Sequence, residues 1–234
     1  MKGEVGFVKT AESFNFVVYR FVTDKTWQEN CYLIENVHLN TCIILDPGNC
    51  ASTILKVIKE RNLQAVGILL THGHHDHVGA LEEIAFELDV PVLLHEKDEP
   101  LIRMAHNYAA VLAKKHIKPI RREFFVRSPG PEWVGFANLE VMHSPGHTPG
   151  SLCFRIENYL FTGDTLLYKS VGRTDIPGGD SFALVHSISQ IFESCNGSGV
   201  ILPGHGDSWS FLEALIWWKS ESGDPKPYDY FGKP

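Results

Sequence analysis

Seven consecutive residues, Thr71-His72-Gly73-His74-His75-Asp76-His77, restrict this chain more than any other stretch. Neither a hydrophobic core nor an ordinary surface explains imidazoles and a carboxylate packed so closely. The run follows an apolar stretch, Val66-Gly67-Ile68-Leu69-Leu70, that reads as a buried strand, and precedes a helical pattern of Val78, Leu81, Ile84, Ala85 and Leu88. It therefore sits at the carboxyl end of a strand. His72 and His74, two apart, can project the same way from extended backbone, while Asp76 and His77 fall in the first turn of the helix. One turn can then serve two adjacent metal ions. Alternation turns His75 away, either towards solvent or behind the ligands.

Neutral imidazole and carboxylate oxygen are good zinc ligands, and a catalytic site keeps one position open for water. The run contains no Cys, which argues against a closed structural zinc site and for hydrolytic metals. His147, Asp164 and His205 are the further candidates, each in a loop with Gly neighbours that follows a strand. Small neighbours let backbone and metal approach closely. Five histidines and two aspartates then suffice for two metals about 3.5–4 Å apart that share Asp164 and hold a hydroxide. Asp46, in Asp46-Pro47-Gly48, is either a turn residue or an acid that orients a ligand. His38, His95, His106, His116, His143 and His186 have no comparable context and default to structural or surface roles.

With 234 residues, 44% of them hydrophobic, the chain can bury a substantial core. A net charge of −7 gives no reason to expect nucleic acid or an anionic membrane as partner. No apolar run reaches membrane-spanning length, and the first residues lack the apolar centre of a secretion signal, so a cytoplasmic location is expected. Five Cys without metal-type spacing fit reduced, mostly buried thiols. Strands are expected at 14–22, 31–34 and 42–45, then a helix capped by Ser52, a strand at 90–95 and a helix from Asp98 to about Lys118. After a Pro129-Gly130-Pro131 turn come a strand at 139–143, a hairpin of 152–156 and 159–161, a helix at 182–192 and a strand at 200–202. A helix with Trp209, Phe211, Trp217 and Trp218 follows, and 223–227 should be extended. These elements read as one domain, 1–234, with a basic helical insertion at about 98–122 and a short aromatic helix and tail at about 207–234.

Asn30-Cys31-Tyr32-Leu33-Ile34, Asp46-Pro47-Gly48, the histidine run, Ser144-Pro145-Gly146-His147-Thr148-Pro149-Gly150-Ser151, Phe161-Thr162-Gly163-Asp164-Thr165 and Pro203-Gly204-His205-Gly206 together resemble the metallo-β-lactamase superfamily. The resemblance covers about residues 14–206 and is greatest to glyoxalase II and its shorter relatives. It implies an α/β (α+β) fold, a four-layer αββα sandwich with its metals along one edge of the sheets. It also implies two Zn2+ per chain, the first on His72, His74, His147 and Asp164, the second on Asp76, His77, His205 and the shared Asp164. The implied reaction is hydrolysis of a small-molecule thioester by a dizinc-bound hydroxide that Asp76 also orients.

In Val171-Gly172-Arg173-Thr174-Asp175, Arg173 keeps a cation able to bind a substrate carboxylate or phosphate, but Asp175 stands where long glyoxalase II enzymes place a Tyr that holds glutathione. Coenzyme A or an acyl-carrier protein is therefore also an expected thiol. The stretch Arg103, Lys114, Lys115, Lys118, Arg121, Arg122 and Arg127 is either a solvated helix face or the surface at 103–127 that docks such a partner. The Gly-Arg-Thr-Asp form is shared with persulfide dioxygenases of the same fold, which use one Fe2+; the Pro177-Gly178-Gly179-Asp180 continuation favours the hydrolases. True β-lactamases usually put a Cys where Asp164 stands. A non-catalytic binding protein is the alternative of another class, and would be expected to have lost ligands that are all present here.

Overall fold

The structure is a computed structural model that describes residues 7–23, 26–121, 125–126, 133–194 and 198–221. The expected Pro129-Gly130-Pro131 turn, the cations Arg122 and Arg127, Cys195 and the 223–227 segment lie outside the described residues. The chain divides into two compact units, Met1–Ala137 and Asn138–Pro234.

In the first unit, seven strands form one sheet in chain order: β1 (Phe7–Glu12), β2 (Phe16–Val22), β3 (Asn30–Asn36), β4 (Thr41–Leu45), β5 (Gln64–Leu69), β6 (Val92–Leu93) and β7 (Phe125–Val126). Neighbours from β1 to β4 are antiparallel, and those from β4 to β7 are parallel. The change follows from the connections, because a short turn reverses a chain whereas a helix returns it to the same edge. The helices are α1 (Ala51–Glu60), α2 (His75–Val78), α3 (Leu81–Leu88) and α4 (Glu99–Tyr108). As a result β4, β5 and β6 all end at one edge, where Asp46, the histidine run and Asp98 follow in turn. On one sheet face Val17, Phe21, Leu33, Ile44 and Ile68 join Ile54 and Ile58 of α1, Leu81 and Ile84 of α3 and Ile102 of α4 in a buried cluster. Each such side chain contributes about 1.5–3 kcal/mol by leaving water.

Three local expectations are corrected. Helix α1 starts after Cys50, which adopts a left-handed backbone (φ 62) and makes no side-chain cap, so Ser52 lies within the first turn and is not the N-cap. The apolar pattern from Val78 to Leu88 is split between α2 and α3, because Ala80 N–H donates to Pro47 O (2.9 Å) and pins the chain to the β4 turn. Helix α4 widens into a π-turn at Ala109–Ala113 and stops at Lys114, itself left-handed (φ 53), short of Lys118.

The second unit holds a sheet of order β14-β13-β10-β9-β8, made of β8 (Glu140–His143), β9 (Leu152–Ile156), β10 (Tyr159–Gly163), β13 (Val200–Pro203) and β14 (Trp209–Ser210), with a separate ribbon of β11 (Leu166–Leu167) and β12 (Ser170–Val171). Strand β9 is antiparallel to both β8 and β10, and β10 is parallel to β13. Hence β8, β10 and β13 run the same way, and the loops carrying His147, Asp164 and His205 leave one edge. Helices α5 (Ser181–Ser194) and α6 (Phe211–Ser220) cover the sheet through Leu184, Ile188, Ile191, Phe211 and Ala214. Ser210 and Glu213 form a reciprocal capping box that starts α6. Among the described residues no helix is long and apolar enough to cross a membrane.

Cys31, Cys42 and Cys153 are buried, reduced thiols, and Cys50 is half-buried. Burial, aided by the nearby Glu35, pushes the Cys42 thiol up to about 12, and burial raises Cys31 well above the ordinary thiol range. Only the thiolate is nucleophilic. Iodoacetamide at pH 8 should therefore modify Cys50 before any of these three, as read by peptide mass mapping of the native protein; equal labelling of Cys42 would contradict this packing.

Candidate metal centre

In the first unit the donors are arranged by one acid. Asp46, fully buried and left-handed (φ 48), closes β4 and faces the end of β5. Its Oδ1 accepts the Thr71 N–H (2.7 Å), while Oδ2 accepts the Thr71 hydroxyl (2.6 Å) and His77 Nδ1–H (3.0 Å). Because the Thr71 hydroxyl proton goes to Asp46, its oxygen accepts from His72 Nδ1 at 3.0 Å. Both rings thus carry their proton on Nδ1, which leaves the Nε2 lone pair as the atom that could bind a metal. The His72 ring lies 4.1 Å from that of His77 and 4.7 Å from that of His74, centroid to centroid. Asp76 Oδ2 stands 3.9 Å from His77 Nε2. The structure therefore brings His72, His74, Asp76 and His77 together, and decides that Asp46 is an orienting acid as well as a turn residue.

His75 is buried, edge-on to Trp27 (5.3 Å) and 3.7 Å from Asp76 Oδ1. The solvent-facing alternative for it is excluded, because the run has already entered α2 at this residue and no longer alternates. Gly48 permits the close approach of the Asp46 turn to α2: a Cβ there would lie 1.8 Å from Asp76 O and 2.3 Å from Glu29 Oε2. Glu29 escaped the sequence reading. It is fully buried, Oε2 accepts the Thr23 hydroxyl (2.5 Å), and burial holds its carboxyl well above the usual carboxylate range. A lone Glu before Asn30 carries no sequence signal of burial.

In the second unit His147, Asp164 and His205 converge. Nε2 of His147 and Nε2 of His205 each lie 3.6 Å from the same oxygen, Asp164 Oδ2, and all three side chains are buried. His147 Nδ1–H donates to the backbone carbonyl of Arg173 (2.8 Å), so this ring too keeps Nε2 for a metal. The Asp164 turn is braced by Thr162 O accepting from Thr165 N–H (3.0 Å) and by the Thr162 hydroxyl donating to Leu166 O (2.6 Å). Arg173, expected to bind substrate, holds Asp175 through Nε (2.8 Å) and Nη2 (2.9 Å), and that pairing lowers the Asp175 carboxyl. Its carbonyl accepts from His147 of the donor set. The donors suit a divalent metal: imidazole nitrogens with committed outer nitrogens, carboxylates, and no thiolate.

These strand-end imidazoles and carboxylates suit a metal-dependent enzyme, and the similarities below give the class as a metal-dependent hydrolase. The family model of the metallo-beta-lactamase superfamily matches residues 24–205, and the chain belongs to that superfamily. Its fold is the mixed α/β metallo-β-lactamase fold expected from the motifs. The hydroxyacylglutathione hydrolase GloC of Haemophilus influenzae is 36% identical over 185 residues, which are 77% of this chain and 86% of that protein. Among solved structures, the BLEG-1 B3 metallo-beta-lactamase is similar with a TM-score of 0.76 and 29% identity, over 85% of this chain and 96% of that one. TTHA1623, solved in a di-iron-bound form, has a TM-score of 0.71 and 32% identity over 88% of this chain and 97% of its own.

Replacing Asp46 by Asn places an amide where three donors converge and leaves His77 and Thr71 misdirected. Affinity for Zn2+, read by competition with a chromophoric chelator, should fall about 10- to 100-fold. An unchanged affinity would remove Asp46 from the orienting role.

Proposed function

We propose that the two donor sets serve one pair of metal ions, Zn2+ in the first instance, and that the protein is a thioester hydrolase. His72, His74, His147 and Asp164 would hold the first ion, and Asp76, His77, His205 and the same Asp164 the second. The observation that carries the metal reading is the commitment of Nδ1 in His72, His77 and His147 to Thr71, Asp46 and Arg173 O, which leaves three buried Nε2 atoms as donors. When bound, the ions supply a hydroxide nucleophile at neutral pH and withdraw charge from the substrate carbonyl. Asp164 would supply a carboxylate to both ions, and Asp76 would orient the attacking water. A departing thiol of pKa about 8.5 needs little help from a general acid, so a separate proton donor is not required. The similarity to a hydroxyacylglutathione hydrolase favours a thioester, and the similarity to a named β-lactamase puts β-lactams on the test panel.

The measurement is metal content of protein purified without added metal, with rates on hydroxyacylglutathione, acyl-coenzyme A, a β-lactam, and oxygen uptake with glutathione persulfide. Two zinc per chain and thioester turnover are expected. Asp164→Ala should lower that turnover at least about 100-fold. One iron with persulfide-dependent oxygen uptake would establish the dioxygenase instead, β-lactam turnover alone would establish the lactamase, and metal-free, inactive protein would mean a binding protein.

The thiol side of the substrate is proposed to dock beside the end of α4. Arg103 and Lys118 are engaged within the fold, by Ile120 O (2.9 Å) and Glu83 (3.0 Å). Exposed Lys114 and half-buried Lys115 adjoin the exposed apolar Val111 and Leu112. A cationic rim next to apolar surface suits a phosphorylated carrier with an acyl chain. Lys114→Glu with Lys115→Glu should raise KM for acyl-coenzyme A or acyl-carrier protein several-fold while leaving that for a small thioester unchanged; equal effects on both would remove the idea.

A further inference from the structure

We propose that Asp98 is a positioning residue for the His72–His74 pair, an inference that rests on reading those histidines as metal ligands. Asp98 follows β6, the strand beside β5, and is fully buried. Its Oδ2 accepts the N–H of Gly73, the residue between the two histidines, at 2.9 Å. Asp98 occupies the N-cap position of α4, where an Asp ordinarily accepts an N–H from its own helix, yet it makes no side-chain cap hydrogen bond there. Pro100, in the first turn, removes one of the donors such a cap would serve. The carboxylate is directed instead to the histidine loop.

That hydrogen bond acts where the loop is least determined. Gly73 has no side chain to restrict its φ and ψ, so the direction of His74 relative to His72 is open unless the peptide between them is held. The Asp46–Thr71 network holds His72 from one side. Asp98 holds the Gly73 amide from the other, and the loop rests against the start of α4: a Cβ on Gly73 would lie 3.0 Å from Asp98 O and 3.1 Å from Ile102 N. Two anchors on successive residues define both ring directions. The same contact joins α4, whose π-turn continuation leads to Lys114 and Lys115, to the ligand loop.

Asp98→Ala should weaken Zn2+ binding at the His72–His74 ion about 10- to 100-fold, so that stoichiometry at limiting metal drops from two towards one. Asp98→Asn keeps an oxygen that can accept from Gly73 and should bind within a few-fold of wild type. Chelator competition gives the affinities, and the visible spectrum of Co2+-loaded protein reports ligand geometry independently of activity. Far-UV circular dichroism and Tm of each variant accompany these, and Asp98→Asn remains informative if Asp98→Ala does not fold. A folded Asp98→Ala with wild-type affinity and Co2+ spectrum, or a folded Asp98→Asn as impaired as a complete loss, would overturn the positioning role alone. Wild-type protein that takes up no metal would overturn the metal reading and this role with it.

Discussion

The carboxylate of Asp46, buried without solvent contact, is the interaction on which the first unit's donor set depends. A carboxyl group in such a place is costly unless its oxygens are hydrogen-bonded. Here three donors meet it: the Thr71 amide, the Thr71 hydroxyl and His77 Nδ1–H. Satisfying the acid therefore orients two histidines, His77 directly and His72 through the hydroxyl, and sets both to the same tautomer. The left-handed backbone of Asp46 is tolerable because Asp adopts it at lower cost than most residues, and the network repays the strain.

Sheet direction supplies the rest. Parallel β4, β5 and β6 deliver Asp46, the histidine run and Asp98 to one edge, while β8, β10 and β13 deliver His147, Asp164 and His205 to another. Local sequence around any single one of these residues would not predict such grouping. The loops stay in place because each is tied to backbone or to buried polar atoms: His147 to Arg173 O, Gly73 to Asp98, the Asp164 turn to Thr162.

Most strands and helices were readable in the chain, since alternating and helical apolar periods mark which faces are buried. The misplaced details all lie where tertiary contact overrode the local pattern. Ser52 has good capping chemistry, but the chain enters α1 through a left-handed Cys50. The period from Val78 to Leu88 is continuous, but the bond from Ala80 to Pro47 O divides it. His75 alternates correctly for a strand, but α2 has already begun and buries it against Trp27. Glu29 and Asp98 gave no signal, because an acid destined for burial looks like any surface acid until its partners are known.

The sequence by itself determined the donor types, their placement after strands and the family, because metal chemistry demands particular side chains at close spacing and few other uses tolerate them. Only the tertiary structure decided which nitrogen of His72, His77 and His147 is left for a metal, that Asp46 is an orienting acid, and that the Arg173 cation is engaged by Asp175. The settings of His77 and His147 depend on hydrogen bonds between residues 31 and 26 positions apart in the chain, and such pairings exist only after the chain has folded back on itself.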